Sequence, residues 1–249
     1  MRGLALVAAA VLLTGCADQA KTGPVVRVAA ASDLQPALDL LEVDGVELQV
    51  TYGSSGTFLQ QLVNGAPYDL YLSADASYPR QLVDRGLADA ADVFPYAEGR
   101  LVLWIPQGSP LDPADGLALL ADSRVRKVAI ANPEHAPYGR AAVAAMRAAG
   151  VEDQTRRKLV LGENVAQAAD FVASGGADVG LVAKSAVLSE SLRDVGRWAD
   201  LPPTGDLAQA GVVLTRARDK AAARRVRDAL TGAAGRDLLQ RFGFDLPER

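Results

Sequence analysis

Apolar and polar positions follow two rhythms along this chain, and the rhythms take turns. Residues 25–31 form a short apolar run with Val26 and Val28, which reads as a buried strand. Leu34, Leu38 and Leu41 follow at i, i+4 and i+7, the stripe of a helix. Val46, Leu48, Val50 and Tyr52 alternate with Glu47, Gln49 and Thr51 as in a half-buried strand. Phe58, Leu59, Leu62 and Val63 then make a second helical face. Residues 69–73 predict a short strand and 78–85 a helix stopped at Gly86.

The alternation repeats with new parts. Strands are expected at 101–105 (closed by Pro106), 128–131, 159–161, 179–183 and 211–215. Helices are expected at 140–149 and 165–173, stopped by Gly150 and by Gly175-Gly176, and at 217–231 and 236–242. Repeated β-α alternation predicts an α/β fold with mostly parallel sheets, and the two groups of units predict two lobes. In such sheets ligands sit beyond the carboxyl ends of strands, near helix N-termini.

Composition narrows this reading. A chain of 249 residues is one or two domains at roughly 150 residues each. Hydrophobic residues at 49% and charged residues at 22% exclude a disordered chain. The net charge is -4, no basic block stands out and aromatics are 5%, all against a nucleic-acid partner. One Cys and one His exclude a structural zinc site, an iron–sulfur cluster and an intrachain disulfide.

The chain opens with Met1-Arg2 and an apolar run of ten, residues 4–13. That is too short to cross a bilayer of roughly 30 Å as a helix, but it suits a signal peptide. Leu13-Thr14-Gly15-Cys16 follows and resembles the lipobox of bacterial lipoproteins. The resemblance implies a signal peptide over 1–15, a lipidated Cys16 and a tether over 16–24, with the protein lipid-anchored on the extracytoplasmic side of the cell envelope. The alternative is a plain secretory signal with an incidental Cys.

Four strand-to-helix junctions carry the candidate chemistry: residues 29–34, 52–57, 132–139 and 161–165. The first turn of a helix leaves about four N–H groups without intrahelical partners. Several such ends aimed at one point form an anion site without Lys or Arg, and the hydroxyls of Ser32 and Ser55 add further donors. Taken singly, each junction also reads as an ordinary helix cap. Gly53-Ser54-Ser55-Gly56 lacks the Lys of a P-loop.

Taken together, these junctions resemble the periplasmic molybdate-binding proteins (ModA) of ABC transporters. The similarity lies in Ala30-Ala31-Ser32-Asp33-Leu34, Tyr52-Gly53-Ser54-Ser55-Gly56-Thr57, residues 65–75, 100–104, 131–142 and 180–183, and Arg241-Phe242-Gly243-Phe244. It runs from about residue 25 to 244. It implies a two-lobed type II periplasmic-binding-protein fold with crossover strands and a central ligand cleft. Lobe I would be 25–103 plus 210–249, and lobe II 104–209, with crossovers near 103–106 and 206–210.

By the same resemblance Ser32 and Ser55 would give hydroxyl and N–H donors from lobe I. Tyr138 and Val165 would give backbone N–H donors from lobe II. The four would touch the oxygens of molybdate or tungstate and hold the metal only through them. Ala183 stands where some members place a Tyr phenol, and Tyr138 is a candidate to supply a phenol instead. The segment 38–46 is several residues shorter than the family usually has, which shortens the first helix. Asp33 is expected to cap its helix with the side chain turned away, since a carboxylate repels a dianion.

The implied function is capture of molybdate, with tungstate as a companion ligand, by a monomer that delivers it to an ABC permease and its ATPase. No catalysis and no cofactor are implied. Two alternatives stay open: a type II binding protein for another anion or for ferric iron, and an anchored serine hydrolase using His135 with Ser32 or Ser55. The remaining conspicuous residues read as structural. His135 is expected to bond locally, Asp69 and Asp75 to cap and brace their strand, and Trp104 and Trp198 to pack. Arg224, Arg225 and Arg227 are expected on a solvated helix face.

Overall fold

The structure, a computed structural model, describes residues 23–203 and 206–247. The expected signal peptide and Cys16 lie outside them. The first half of the chain runs β1 (Val25–Ala31), α1 (Gln35–Leu38), β2 (Glu47–Gly53), α2 (Ser55–Val63), β3 (Leu70–Ser73), α3 (Ser77–Asp84), β4 (Ala88–Glu98) and β5 (Leu101–Pro106). The second runs β6 (Val128–Ala131), α4 (Pro137–Ala148), α5 (Glu152–Thr155), β7 (Leu159–Gly162), α6 (Val165–Ala173), β8 (Val179–Ala183), α7 (Lys184–Val187), β9 (Gly196–Asp200), β10 (Ala208–Leu214), α8 (Lys220–Thr231) and α9 (Ala233–Arg241).

The strands form two sheets of five, ordered β2-β1-β3-β10-β4 and β7-β6-β8-β5-β9. Each has a parallel trio. In the first, β1 lies between β2 and β3; in the second, β6 lies between β7 and β8. The remaining pairs are antiparallel, so the sheets are mixed rather than mostly parallel. The reason is topological. β5 and β10 are the strands by which the chain enters one sheet from the other, and they run against the trio.

The expected boundary after residue 103 falls inside β5. Pairing places that strand wholly in the second sheet, from Leu101 opposite Ala183 to Pro106 opposite Gly196, so the chain passes over at Gly99 and Arg100. On the return, β10 begins at Ala208, opposite Glu98.

β1 shows why its sequence reads as one apolar run. Val26, Val28 and Ala30 face a core with Leu70, Leu72 and Val213, while Ala29 faces the opposite core with Tyr71 and Leu62. Both faces of the strand are covered, so alternation disappears. The second sheet wraps a single core that includes Leu103, Trp104, Ile105 and Ile130. Among the described residues no helix is long and apolar enough to cross a membrane.

Two strands escaped the sequence reading, β4 and β9. Both are sheet edges with one neighbour, and they carry Asp89, Asp92, Pro95, Arg197 and Asp200. Such residues are tolerated at an edge, which needs only one row of hydrogen bonds. The expected first helix is also reduced. Leu34 lies in a 3-10 turn (Ser32–Leu34), α1 has four residues, and Leu41 is buried in the loop that follows.

Candidate functional site

The carboxyl ends of β1 and β2 in the first sheet face helix starts of the second lobe. Ser32 opens the 3-10 turn after β1, and Ser54 and Ser55 begin α2 directly after β2. Across the gap stand the starts of α4, with Ala136, Pro137 and Tyr138, and of α6, with Asn164 and Val165. These residues line one small pocket of about 10 Å3, together with Ala31, Asp33, Gly53 and Ala74. Ser32, Ser55, Tyr138 and Val165 all belong to it.

The local bonding leaves donors aimed inward. Ser55 Oγ accepts from the Ala74 N–H at 3.0 Å, so its own proton remains free to donate. Ser32 Oγ accepts from the Ala166 N–H across the gap at 3.4 Å. On α6 the Asn164 side chain accepts from the N–H groups of Ala166 (3.0 Å) and Gln167 (3.1 Å). The cap passes over Val165, whose N–H opens the helix. On α4 Pro137 occupies the first turn, and the Tyr138 N–H has no carbonyl one turn back. The lining holds no Lys or Arg.

The lobes touch directly beside the pocket. The His135 carbonyl accepts from the Gly56 N–H (2.9 Å) and from Ser54 Oγ (2.7 Å). Gly56 is required there, because a Cβ would collide with that carbonyl. Farther out, Arg140 of α4 reaches Asp75 (2.6 Å) and the Tyr78 hydroxyl (2.9 Å) of the first lobe.

His135 meets a serine, but it is Ser54 rather than Ser32 or Ser55. Its Nδ1 lies 3.1 Å from Ser54 Oγ, and its Nε2 lies 3.6 Å from Glu163. The Ser54 proton already goes to the His135 carbonyl, so the ring nitrogen is the donor in this contact. The arrangement fastens two lobes and does not present an activated nucleophile.

Asp33 departs from expectation. It caps no helix. Its carboxylate is 2% exposed and accepts from Gln209 Nε2 at 2.6 Å. Burial pushes its pKa up to about 6, against the lowering effect of Gln209 and of the Tyr138 hydroxyl. The phenol of Tyr138 stands near Asp33, beside Gly99 and Gln209, and its own pKa is raised by burial and then by the Asp33 charge. Ser185 of α7 donates to the Asp33 carbonyl at 2.7 Å. The sequence reading missed Gln209 and Ser185, although a Gln inside the apolar run of β10 was a visible signal.

The other singled-out residues have structural partners. Asp69 is pushed up by burial, but the N–H groups of Arg218 and Arg27 and the Arg27 guanidinium hold it below the usual carboxylate range. Asp75 accepts from the Ser77 N–H and hydroxyl at the start of α3. Trp104 is fully buried, and Trp198 lies under Lys184 Nζ, 4.9 Å from its ring centre. Arg224 differs from the solvated face expected of it, because it pairs with buried Asp92 at 2.9 Å. Ala183 closes β8, fully buried, and is not among the pocket residues.

Residues 26–245 match the family described as bacterial extracellular solute-binding proteins. The chain is 36% identical to the molybdate-binding protein ModA of Azotobacter vinelandii over 243 residues, which is 94% of each chain. It is 35% identical to ModA of Rhodobacter capsulatus over 240 residues, covering 94% of this chain and 92% of that one. In three dimensions it is similar to the solved periplasmic molybdate-binding protein of Azotobacter vinelandii. The TM-score is 0.83 at 30% identity, over 90% of this chain and 100% of the other.

Proposed function

This chain belongs to the bacterial extracellular solute-binding proteins, and on that premise we propose that it captures molybdate, or tungstate, outside the cytoplasm and delivers it to an ABC permease with its ATPase. The observation that carries the reading is the convergence of two hydroxyls from one lobe and two helix starts from the other on a pocket without a cation. A buried dianion is costly unless its oxygens are hydrogen-bonded. Ser32 and Ser55 donate from side chains and backbone, and Tyr138 and Val165 donate backbone N–H groups. Each helix start adds roughly half a positive charge. Bonding to both sides at once draws the lobes together, and the His135 and Arg140 contacts complete the closure. Sulfate, with shorter bonds to oxygen, fits poorly between donors fixed on two rigid lobes.

The tether and Cys16 complete the proposal: a lipid at Cys16 would keep the binding protein beside its permease. The lobe division we propose is one lobe built on each sheet, with the chain crossing at 99–100 and returning between β9 and β10.

The test is thermal unfolding of the full-length chain with molybdate, tungstate, sulfate, phosphate and ferric citrate in turn. A ligand at about 100 times its dissociation constant adds roughly 2.7 kcal/mol. A raised midpoint with molybdate and tungstate, and none with sulfate, is the expected result. A rise with phosphate or ferric citrate alone would overturn it.

A further inference from the structure

Two oxygens beside the pocket have no hydrogen-bond partner. They are Asp33 Oδ1 and Gln209 Oε1, both buried, and they belong to one joined pair of side chains. Buried acceptors are almost always satisfied, so two orphans on one pair call for a physical reason. The pair is already tied by Gln209 Nε2–H donating to Asp33 Oδ2 at 2.6 Å. The Gln209 N–H serves an ionised carboxyl as well as a protonated one, but only a protonated carboxyl can put a donor on Oδ1. The amide oxygen is an acceptor waiting for one.

The surroundings point the same way. Asp33 lines the pocket whose other polar groups are neutral donors. The groups that face it are Gln209 from β10, Tyr138 from α4, Tyr96 from β4 and the Ser185 hydroxyl from α7, and none is a cation. Charged side chains on the neighbouring helices are turned elsewhere. Lys184 of α7 holds Asp200 at 2.8 Å, and Asp170 of α6 is exposed. A dianion entering this pocket would meet the Asp33 carboxylate as a like charge, and like charges favour the protonated acid.

We propose that Asp33 is a proton-binding member of the anion site, so that the oxyanion is captured together with one proton from solvent, which settles on Asp33 Oδ1 and is shared with Gln209 Oε1. This rests on the proposed anion-binding reading. Burial, only partly offset by Gln209, Tyr138 and the backbone N–H groups of Asp33 and Leu34, already lifts the Asp33 carboxyl to about 6. The anion raises it further, so proton uptake falls in the window above about pH 6. Anion affinity therefore rises as pH falls from 8 towards 6, by up to about tenfold per pH unit for one linked proton.

The test is calorimetric titration of the full-length chain with sodium molybdate at pH 8, 7 and 6. Each titration is run in two buffers of different ionisation enthalpy, which counts protons without any substitution. The wild-type chain is expected to take up close to one proton at pH 7 to 8. Asp33→Asn replaces the neutral acid by a neutral amide of the same shape. It is expected to take up none, and to bind at pH 8 at least as tightly as the wild type does at pH 6. Heat of binding without proton uptake in the wild type would overturn this proposal alone, and so would an Asp33→Asn protein that keeps the wild-type pH slope. No heat from either protein would overturn the anion-binding reading, and this proposal with it.

Discussion

The two lobes are built on the same plan and serve the site by different means. Each sheet centres on a parallel trio and is completed by two antiparallel strands, one of which arrives from the other lobe. After the central strand of its trio the second lobe places α4, twelve residues that bury Ala141, Ala142, Ala145 and Met146. After β1 the first lobe places a 3-10 turn and a helix of four residues. Leu48, Val50 and Tyr52 of β2 consequently border a surface groove of about 340 Å3, and Leu40 is 49% exposed. A helix start orients a backbone N–H as an anion donor without help from a side chain. A serine hydroxyl needs only a fixed Cα. On the proposed reading, the lobe with the short first helix offers the hydroxyls of Ser32 and Ser55, and the other lobe offers the helix starts at Tyr138 and Val165.

Breaking the side-chain half should have the largest effect. Hydrogen bonds to charged groups are worth about 1.5–3 kcal/mol each. Ser32→Ala with Ser55→Ala should therefore weaken molybdate binding by about 10²- to 10⁴-fold, with a drop of a few degrees in the ligand-free midpoint because the buried Ala74 N–H loses its acceptor. Calorimetry and a melting curve check both; unchanged affinity would remove the hydroxyls from the site. Next in size is Gly56→Val, which strikes the other lobe rather than its own. Affinity should fall at least about tenfold, while the ligand-free midpoint hardly moves. Small-angle scattering should show the variant failing to compact with molybdate.

What was legible in the sequence follows the same division. β1, β5, β6 and β8 could be read because their residues are buried on both faces. The meeting of Ser32, Ser55, Tyr138 and Val165 could be anticipated because strand-to-helix junctions all lie at one end of their sheets. The direction of Asp33 could not. Its partner Gln209 is 176 positions away along the chain, and a local rule sees only a small acid at a helix start. Arg224 was misread for the same reason. A basic residue on an exposed helix face looks solvated until the edge strand beneath it proves to carry a buried Asp92.

That pair gives a prediction confined to the first lobe. The Arg224 hydrogen bonds hold the Asp92 carboxyl below its usual 3.8 in the fold. A depressed folded pKa adds stability above the unfolded value and loses it as pH falls through the folded one. Arg224→Ala should lower the unfolding midpoint at neutral pH by a few degrees. The gap to wild type should close below about pH 3.8, and molybdate affinity should not change. A gap that persists in acid would assign the loss to packing of the arginine stem.

The smallest effect sharpens the comparison most, because it touches neither set of donors. Arg140 sits two residues beyond Tyr138 on α4 and crosses to Asp75 and Tyr78. The pair is partly solvated, at 40% and 21% exposure, so solvent and salt weaken it to about 0.5–1 kcal/mol. It joins one lobe to the other, so on the proposed closure removing it should speed opening rather than slow capture. Arg140→Ala should raise the molybdate dissociation rate about two- to fivefold, with the association rate nearly unchanged, in stopped-flow displacement. In strong salt, wild type and variant should converge, since screening removes the same attraction. A slower association rate instead would mean that Arg140 guides the anion inward. Part of the second lobe's contribution would then be a long-range charge, and the contrast of hydroxyls with helix starts would have to be widened to include it.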